Sequence, residues 1–190
     1  LIKQGAGMIT VLSDSSGFLG TVSVNEGALM MKGKIGGELN VSANAVLAGT
    51  GSVENVINSG KVKPGSSIGT LTVSGNYTQG ASGELDIEIN ETGATSLLQV
   101  GGIATLNGTL HISPEPGVYL EGTTYTFLNA GSVIGQFSNS FSDLPLSYVI
   151  RYFPNQAQLA LLASSLILPP SPKGNAGAVA DYLFCSSFDF

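Results

Sequence analysis

The feature that most constrains this chain is a short internal recurrence. Val24, Val41, Ile57 and Val73 stand 17, 16 and 16 positions apart. The first three open similar runs: Val24-Asn25-Glu26-Gly27-Ala28-Leu29, Val41-Ser42-Ala43-Asn44-Ala45-Val46 and Ile57-Asn58-Ser59-Gly60-Lys61-Val62. The third residue after each aliphatic is Gly27, Asn44, Gly60 and Asn76. Gly and Asn adopt positive φ most readily, so the pattern predicts a left-handed corner once per repeat. The fourth copy fades after Asn76, where Tyr77 and Thr78 interrupt it.

Short alternating segments flank the corners: Thr21-Val22-Ser23-Val24, Leu39-Asn40-Val41 and Leu71-Thr72-Val73. Period-two alternation gives strands with one face in and one out. A repeat this short cannot hold a βαβ unit. It fits one coil of a solenoid whose strands stack about 4.8 Å apart. A β-sandwich, with turns every roughly 8–12 residues, is the competing architecture. Gly5-Ala6-Gly7-Met8-Ile9-Thr10-Val11-Leu12 reads as an earlier, less regular coil, and Gly65-Ser66-Ser67-Ile68-Gly69 as a longer corner.

Composition agrees with a packed, turn-rich β protein. Of 190 residues, 43% are hydrophobic and only 11% charged, which disfavours disorder. The 26 glycines are nearly twice the usual share. A net charge of −6 without any basic run argues against nucleic acid and against anionic lipid. Cys185 is the one cysteine and His111 the one histidine. That excludes an internal disulfide and a typical Cys/His zinc cluster. Cysteine poverty suits a chain that crosses a narrow pore unfolded. No apolar run approaches the roughly 18 residues of a spanning helix. With Leu1 first and no leader pattern, the chain is expected to be a piece of a longer or processed protein.

After Tyr77 the strands lengthen and begin to look like hairpins. Glu84-Leu85-Asp86-Ile87-Glu88-Ile89 alternates acidic and aliphatic residues, and Asn107-Gly108 is a tight-turn signal between short strands. Further strands are expected at Thr123–Leu128 and Gln158–Leu162. Phe137, Phe141, Tyr148, Tyr152 and Phe153 gather after position 136. Bulkier side chains there suggest a cap over the last coil and its open edge. Pro169, Pro170, Pro172, Lys173 and Gly174 read as a stiff linker, and Asn175 as the cap of a short helix over residues 176–184.

Two kinds of run carry a family resemblance. Val62-Lys63-Pro64-Gly65-Ser66-Ser67-Ile68-Gly69-Thr70-Leu71-Thr72-Val73-Ser74-Gly75-Asn76-Tyr77-Thr78-Gln79 resembles the passenger-associated transport repeat of Gram-negative type V autotransporters. Lys3-Gln4-Gly5-Ala6-Gly7 with Ile9-Thr10-Val11, and Leu47-Ala48-Gly49-Thr50-Gly51-Ser52-Val53, resemble passenger coils. Val100 to Leu110, Tyr125 to Leu128, Val133 to Phe137 and Leu159 to Leu161 are similar to the pertactin-like, autochaperone end of such passengers. The resemblance spans nearly the whole chain. It departs at Leu97-Leu98-Gln99-Val100, where the family often carries an Asp, and no barrel strands follow.

The resemblance implies an all-β, right-handed parallel β-helix with a hairpin-containing C-terminal cap and a short linker or helix tail. Residues 1–76 would be coils of the passenger-associated transport repeat region, 77–165 the autochaperone-like cap, and 166–190 the linker and the start of the barrel-threading helix. It implies a non-enzymatic segment that caps the helix and promotes folding and surface display or secretion of the upstream passenger. Partners would be the upstream coils and a C-terminal outer-membrane β-barrel translocator of the same polypeptide, with a host surface ligand as an addition. The location would be the cell surface or the medium of a Gram-negative bacterium. Adhesin binding to host proteins or glycans is the alternative, and polysaccharide cleavage the third.

No catalytic, cofactor or metal residues are expected. Glu84, Asp86 and Glu88 on one strand face resemble carboxylates that work on sugars, but no neighbouring Lys or Arg is visible in sequence, and a solvated outer face explains them. His111 should point outward. Gly5-Ala6-Gly7 and Gly49-Thr50-Gly51 lack the remaining glycine and lysine of phosphate loops. Asp14 and Glu26 lack the oxygen clustering that calcium needs. Cys185 reads as an inert apolar thiol. The residues expected to matter are packing ones: Tyr77, Leu85, Ile87, Leu106, Leu110, Phe127 and Phe137.

Overall fold

The structure is a computed structural model that describes residues 1–163. The linker, the Asn175 helix and Cys185 lie outside the described residues. In chain order the strands are β1 (Ile2–Lys3), β2 (Met8–Val11), β3 (Asp14–Ser15), β4 (Thr21–Met31), β5 (Lys34–Gly49), β6 (Ser52–Asn58), β7 (Lys61–Pro64), β8 (Thr70–Val73) and β9 (Tyr77–Gln79). They continue as β10 (Glu84–Ile89), β11 (Leu97–Val100), β12 (Ile103–Leu106), β13 (Thr109–Pro114), β14 (Thr124–Asn129), β15 (Ser132–Gly135), β16 (Asn139–Ser142), β17 (Tyr148–Phe153) and β18 (Gln156–Leu161). No helix occurs among the described residues.

All these strands join one curled, mixed sheet, a pattern consistent with a β-helix-like winding. Strand pairing is parallel from β1 through β16 and antiparallel only where β18 lies between β14 and β17. The inward row Val22, Leu39, Val56, Tyr77, Ala104 and Val133 is aligned strand on strand. The step from Val22 to Leu39 equals the step from Leu39 to Val56, and each later step along the row is longer than the one before. A second row runs Leu29, Leu47, Val62, Leu85, Leu110. A third runs Ile35, Val53, Val73, Val100. The three rows meet in one hydrophobic cluster.

Much of the added length collects at one corner. Between β4 and β5 it holds Lys32 and Gly33, and between β5 and β6 Thr50 and Gly51. It then becomes 65–69, 90–96 and 115–123. The longer versions lie on one another: Glu115 Oε1 accepts from Ser67 Oγ at 3.3 Å, and Glu91 Oε2 accepts from the Val118 N–H at 2.8 Å. The Gly49-Thr50-Gly51 run is thus a corner, and a Cβ on Gly51 would sit 2.3 Å from the Gly33 carbonyl oxygen of the turn below.

Several sequence expectations are corrected. The repeat is placed one residue off in its third copy. Val24 does pair with Val41, but Val41 pairs with Asn58, and Ile57 falls beside Asn40 with 41% exposure. An irregularity between Ile35 and Glu38 shifts the register, so Val56 takes the inward place. Of the four corner positions, only Gly27 is left-handed, with φ of 68°. No described non-glycine residue has positive φ, and Gly60 does not either. Gly60 is needed instead for close approach, since a Cβ there would lie 2.1 Å from the Ser42 carbonyl oxygen. At Asn76 a side chain is required for bonding: its Oδ1 accepts from the Ile103 N–H at 2.9 Å, while its own N–H donates to Asn55 Oδ1. Asn107-Gly108 joins β12 to β13 without a hairpin, because those strands pair with different neighbours. The hairpin is β17–β18.

Tyr77, Leu85, Ile87, Leu106, Leu110 and Phe127 are buried, and Phe137 packs partly buried 6.3 Å from the Phe127 ring. Asn58 and Gln79 are the unexpected members of the interior. The Tyr77 hydroxyl donates to Gln79 Oε1 at 2.6 Å and accepts from Asn58 Nδ2 at 3.2 Å. Burial pushes the phenol well above its ordinary pKa, against the Asn58 hydrogen bond, so it stays a donor. The Gln79 amide donates toward the carbonyls of Gly83, Asn107 and Thr109, bracing the next corner.

The two ends differ. At the far end β18 covers the β14 edge. At the near end β1 and β2 pair only with β4, and Leu1, Ile2, Met8, Ile9, Leu12 and Leu19 are exposed.

The register makes a sharp expectation. Val56→Ala should cost about 2 kcal/mol by urea unfolding, from lost burial plus a cavity. Ile57→Ala should cost less than about 1 kcal/mol. Equal costs would place the third strand in the other register.

Candidate functional site

The densest polar cluster lies on the outward face of four aligned strands. Alternation along β7 puts Lys61 and Lys63 outward, along β10 Glu84, Asp86 and Glu88, along β13 His111 and Ser113, and on β16 Phe141. Glu84 pairs with Lys61, Asp86 with His111, Glu88 with Ser113, and His111 with Phe141. The strand register therefore stacks cation, anion, imidazole and aromatic ring in successive turns.

Lys61 Nζ lies 2.8 Å from Glu84 Oε1 and 3.7 Å from Asp86 Oδ2. Lys63 Nζ lies 3.0 Å from Glu88 Oε1. His111 Nδ1 is 3.3 Å from Asp86 Oδ1 and 3.7 Å from Glu84 Oε1. The imidazole stacks on Phe141 with centroids 4.3 Å apart and planes 20° from parallel. Ser113 Oγ donates to Asp86 Oδ1 at 2.8 Å. Lysine stems on one side and the His111–Phe141 stack on the other leave the Asp86 side chain only 6% exposed. Close polar contact with the Glu84 carboxylate, joined by the charges of Glu84 and Asp86, holds the Lys61 ammonium above its ordinary pKa against the opposing effect of burial.

This overturns part of the sequence reading. The acidic residues were expected on a solvated face with no Lys nearby. They do face outward, yet Lys61 and Lys63 neutralise them from the preceding turn. The link was hidden because Lys61 and Glu84 are 23 positions apart, outside the spacing of the early repeat. Lys-Val-Lys matched against Glu-Leu-Asp-Ile-Glu was the available signal. Glu84, Asp86 and His111 bring one nitrogen and two carboxylate oxygens within 4.8 Å of one another, with the Lys61 ammonium beside both carboxylates.

Among the described residues, other positions weighed from sequence make local contacts. Lys3 Nζ donates to the carbonyls of Gly5 and Glu26, and the Gly5 N–H donates to Glu26 Oε2 at 3.1 Å, so Gly5-Ala6-Gly7 is a stapled turn. Asp14 pairs with Lys34 at 3.2 Å, and hydrogen bonds from the Ser16 side chain and N–H, with help from Lys34, pull its pKa down to about 2.

No family model matches the chain. It is 34% identical over 116 residues to the adhesin BmaC autotransporter of Brucella suis biovar 1 (strain 1330), covering 59% of this chain and 3% of that protein. It is 26% identical over 174 residues to an extracellular serine protease of Serratia marcescens, covering 85% of this chain and 17% of that protein. The chain thus spans a small fraction of these relatives. The likenesses support a relation to autotransporter passengers. They point to the cell surface or the exterior of a Gram-negative bacterium as its location.

The raised Lys61 pKa carries a sign. A cation stabilised in the folded state contributes below its unfolded pKa, about 10.4, and that contribution is lost as pH rises through the folded value. With 38% of the side chain exposed, screening keeps it below about 1 kcal/mol. Native chain should lose this increment between mildly and strongly alkaline urea titrations, and Lys61→Met should not.

Proposed function

We propose that this chain is a right-handed parallel β-helix segment that closes an autotransporter passenger and promotes its folding and display, without chemistry of its own. The observation that carries the reading is the inequality of its ends. An exposed apolar turn at β1 and β2 offers edges on which a preceding coil can pair and bury Ile2, Met8, Ile9 and Leu12. The β17–β18 hairpin removes the β14 edge at the other end. Solenoid stability is nearly a sum of turn and neighbour terms, so folding can begin at one stable place and propagate. In this reading residues 1–76 are stalk coils, 77–165 the folding cap, and 166–190 the connection to an outer-membrane β-barrel translocator of the same polypeptide.

The matched adhesin's name supports a second reading, in which the outward rows bind a host protein or glycan. Polysaccharide cleavage is disfavoured, because Lys61 and Lys63 already neutralise the carboxylates it would use.

The test is deletion of residues 77–165 within the full parent protein, scored by surface display and protease resistance of the passenger. Both should fall several-fold while the barrel still inserts. Undiminished folded display would overturn the reading. Saturable binding of the isolated chain to host cells or glycan arrays would favour adhesion.

A further inference from the structure

We propose that Gly7 seats a corner carbonyl of a preceding coil, and so selects a parallel coil of the same polypeptide as the occupant of the β1–β2 end. The inference rests on the reading above that a coil packs there, and it names the residue that admits it.

The strand ladder places one residue of each turn in a single corner column. Gly27 lies beside Ala45. The flanking pairs Met8 with Ala28, Val46 with Lys61, Lys61 with Glu84 and Glu84 with Thr109 extend the column at both ends. It reads Gly7, Gly27, Ala45, Gly60, Gly83 and Gly108. Ala45 is the exception, at the corner where β5 carries an extra residue relative to β4. A Cβ on Gly27, Gly60, Gly83 or Gly108 would come within 2.6 Å of a carbonyl oxygen of the preceding turn, that of Gly7, Ser42, Asn58 and Gly83 respectively. Real Cβ atoms stay beyond 3.0 Å, and backbone cannot swing aside, so the stacking itself requires glycine at these four places.

Gly7 belongs to the column without that contact. Among the described residues, nothing lies within 4 Å of the place its Cβ would take. Gly5 has a φ of 79°, but the φ of Gly7 is not positive, so its own turn does not demand glycine either. The surface around it is that of an interior turn left uncovered, with Met8, Ile9 and Leu12 exposed and β1 and β2 paired only with β4. On its covered side Gly7 offers its carbonyl to the next corner, beneath Gly27 and 3.2 Å from the Ala28 nitrogen. The same contact repeated one turn earlier would place a carbonyl over Gly7. A helix or an antiparallel strand could bury the same apolar residues without needing a glycine there. A second copy presents in the parallel sense only its far end, where β18 covers β14.

The test compares Gly7→Ala in the full parent protein and in this chain alone, with Gly60→Ala as the measure of what a blocked carbonyl costs. Gly60→Ala should lower the melting temperature of the chain by about 4 °C or more. Gly7→Ala should leave that temperature unchanged in the chain alone. In the parent, hydrogen exchange should show protection of the β2 amides that do not bond to β4. Gly7→Ala should there speed their exchange at least about fivefold and raise protease sensitivity of the adjoining upstream coil. Equal, negligible effects of Gly7→Ala in both settings would overturn the inference, as would destabilisation of the chain alone. Concentration-dependent association of the chain that Gly7→Ala abolishes, with the parent unaffected, would make the occupant a second copy and overturn it too. None of these readings depends on residues 77–165, so the deletion that decides the folding role fails or succeeds separately.

Discussion

Everything in this structure depends on backbone hydrogen bonds between residues one turn of chain apart. Parallel pairing of this kind aligns equivalent positions of successive turns in straight rows. An inward position then stays inward for as long as the register holds. Val22, Leu39 and Val56 become one apolar column for that reason, although no two are near in sequence. The same constraint demands glycine where backbones crowd. At Gly33, Gly51 and Gly60 a Cβ would fall 2.1 to 2.3 Å from a carbonyl oxygen of the preceding turn. At these corners glycine serves close stacking, not left-handed backbone.

What was legible in the sequence follows from how local the cause is. Alternation in Thr21–Val24, Leu71–Val73 and Glu84–Ile89 reveals strands, because facing in or out is decided residue by residue. The repeat itself was legible through Val24 and Val41. It misled at Ile57, because an irregularity in the partner strand moved the register by one and nothing near Ile57 records that. The Lys61–Glu84 and Asp86–His111 pairs were hidden for a related reason. Turns lengthen steadily beyond Val56, so a fixed period loses its partner there. Much of the lengthening sits in a corner that carries no strand pattern.

The interior shows how the chain tolerates that change. Asn58 occupies the row of Val24 and Val41, where an aliphatic would be expected. It stands where turns begin to grow, and it is joined to Tyr77 and Gln79 by hydrogen bonds that also capture three carbonyls of the next corner. A buried polar group is costly unless satisfied, and these are satisfied only in one alignment. The trio therefore penalises slippage at the point where apolar rows alone would permit it. Leucine in these places would bury equally well and specify less.

The unequal ends give this stack a direction. A turn added to the β1–β2 end gains hydrogen bonds to preformed strands and covers exposed Met8, Ile9 and Leu12 at once. A turn added beyond β14 meets β18, whose antiparallel pairing has consumed that edge. Apolar surface and unpaired strands are thus left open on one side, and much of the edge is covered on the other. The outer charge ladder reinforces the asymmetry, since its cross-turn pairs lie between β7, β10, β13 and β16, in the closed half of the stack. Polar contacts tie turns in both halves, but the His111–Phe141 and Phe127–Phe137–Tyr152 ring contacts lie in the half with the β17–β18 hairpin. The half that leaves apolar surface exposed is the one whose turns keep the short, even spacing of Val22, Leu39 and Val56.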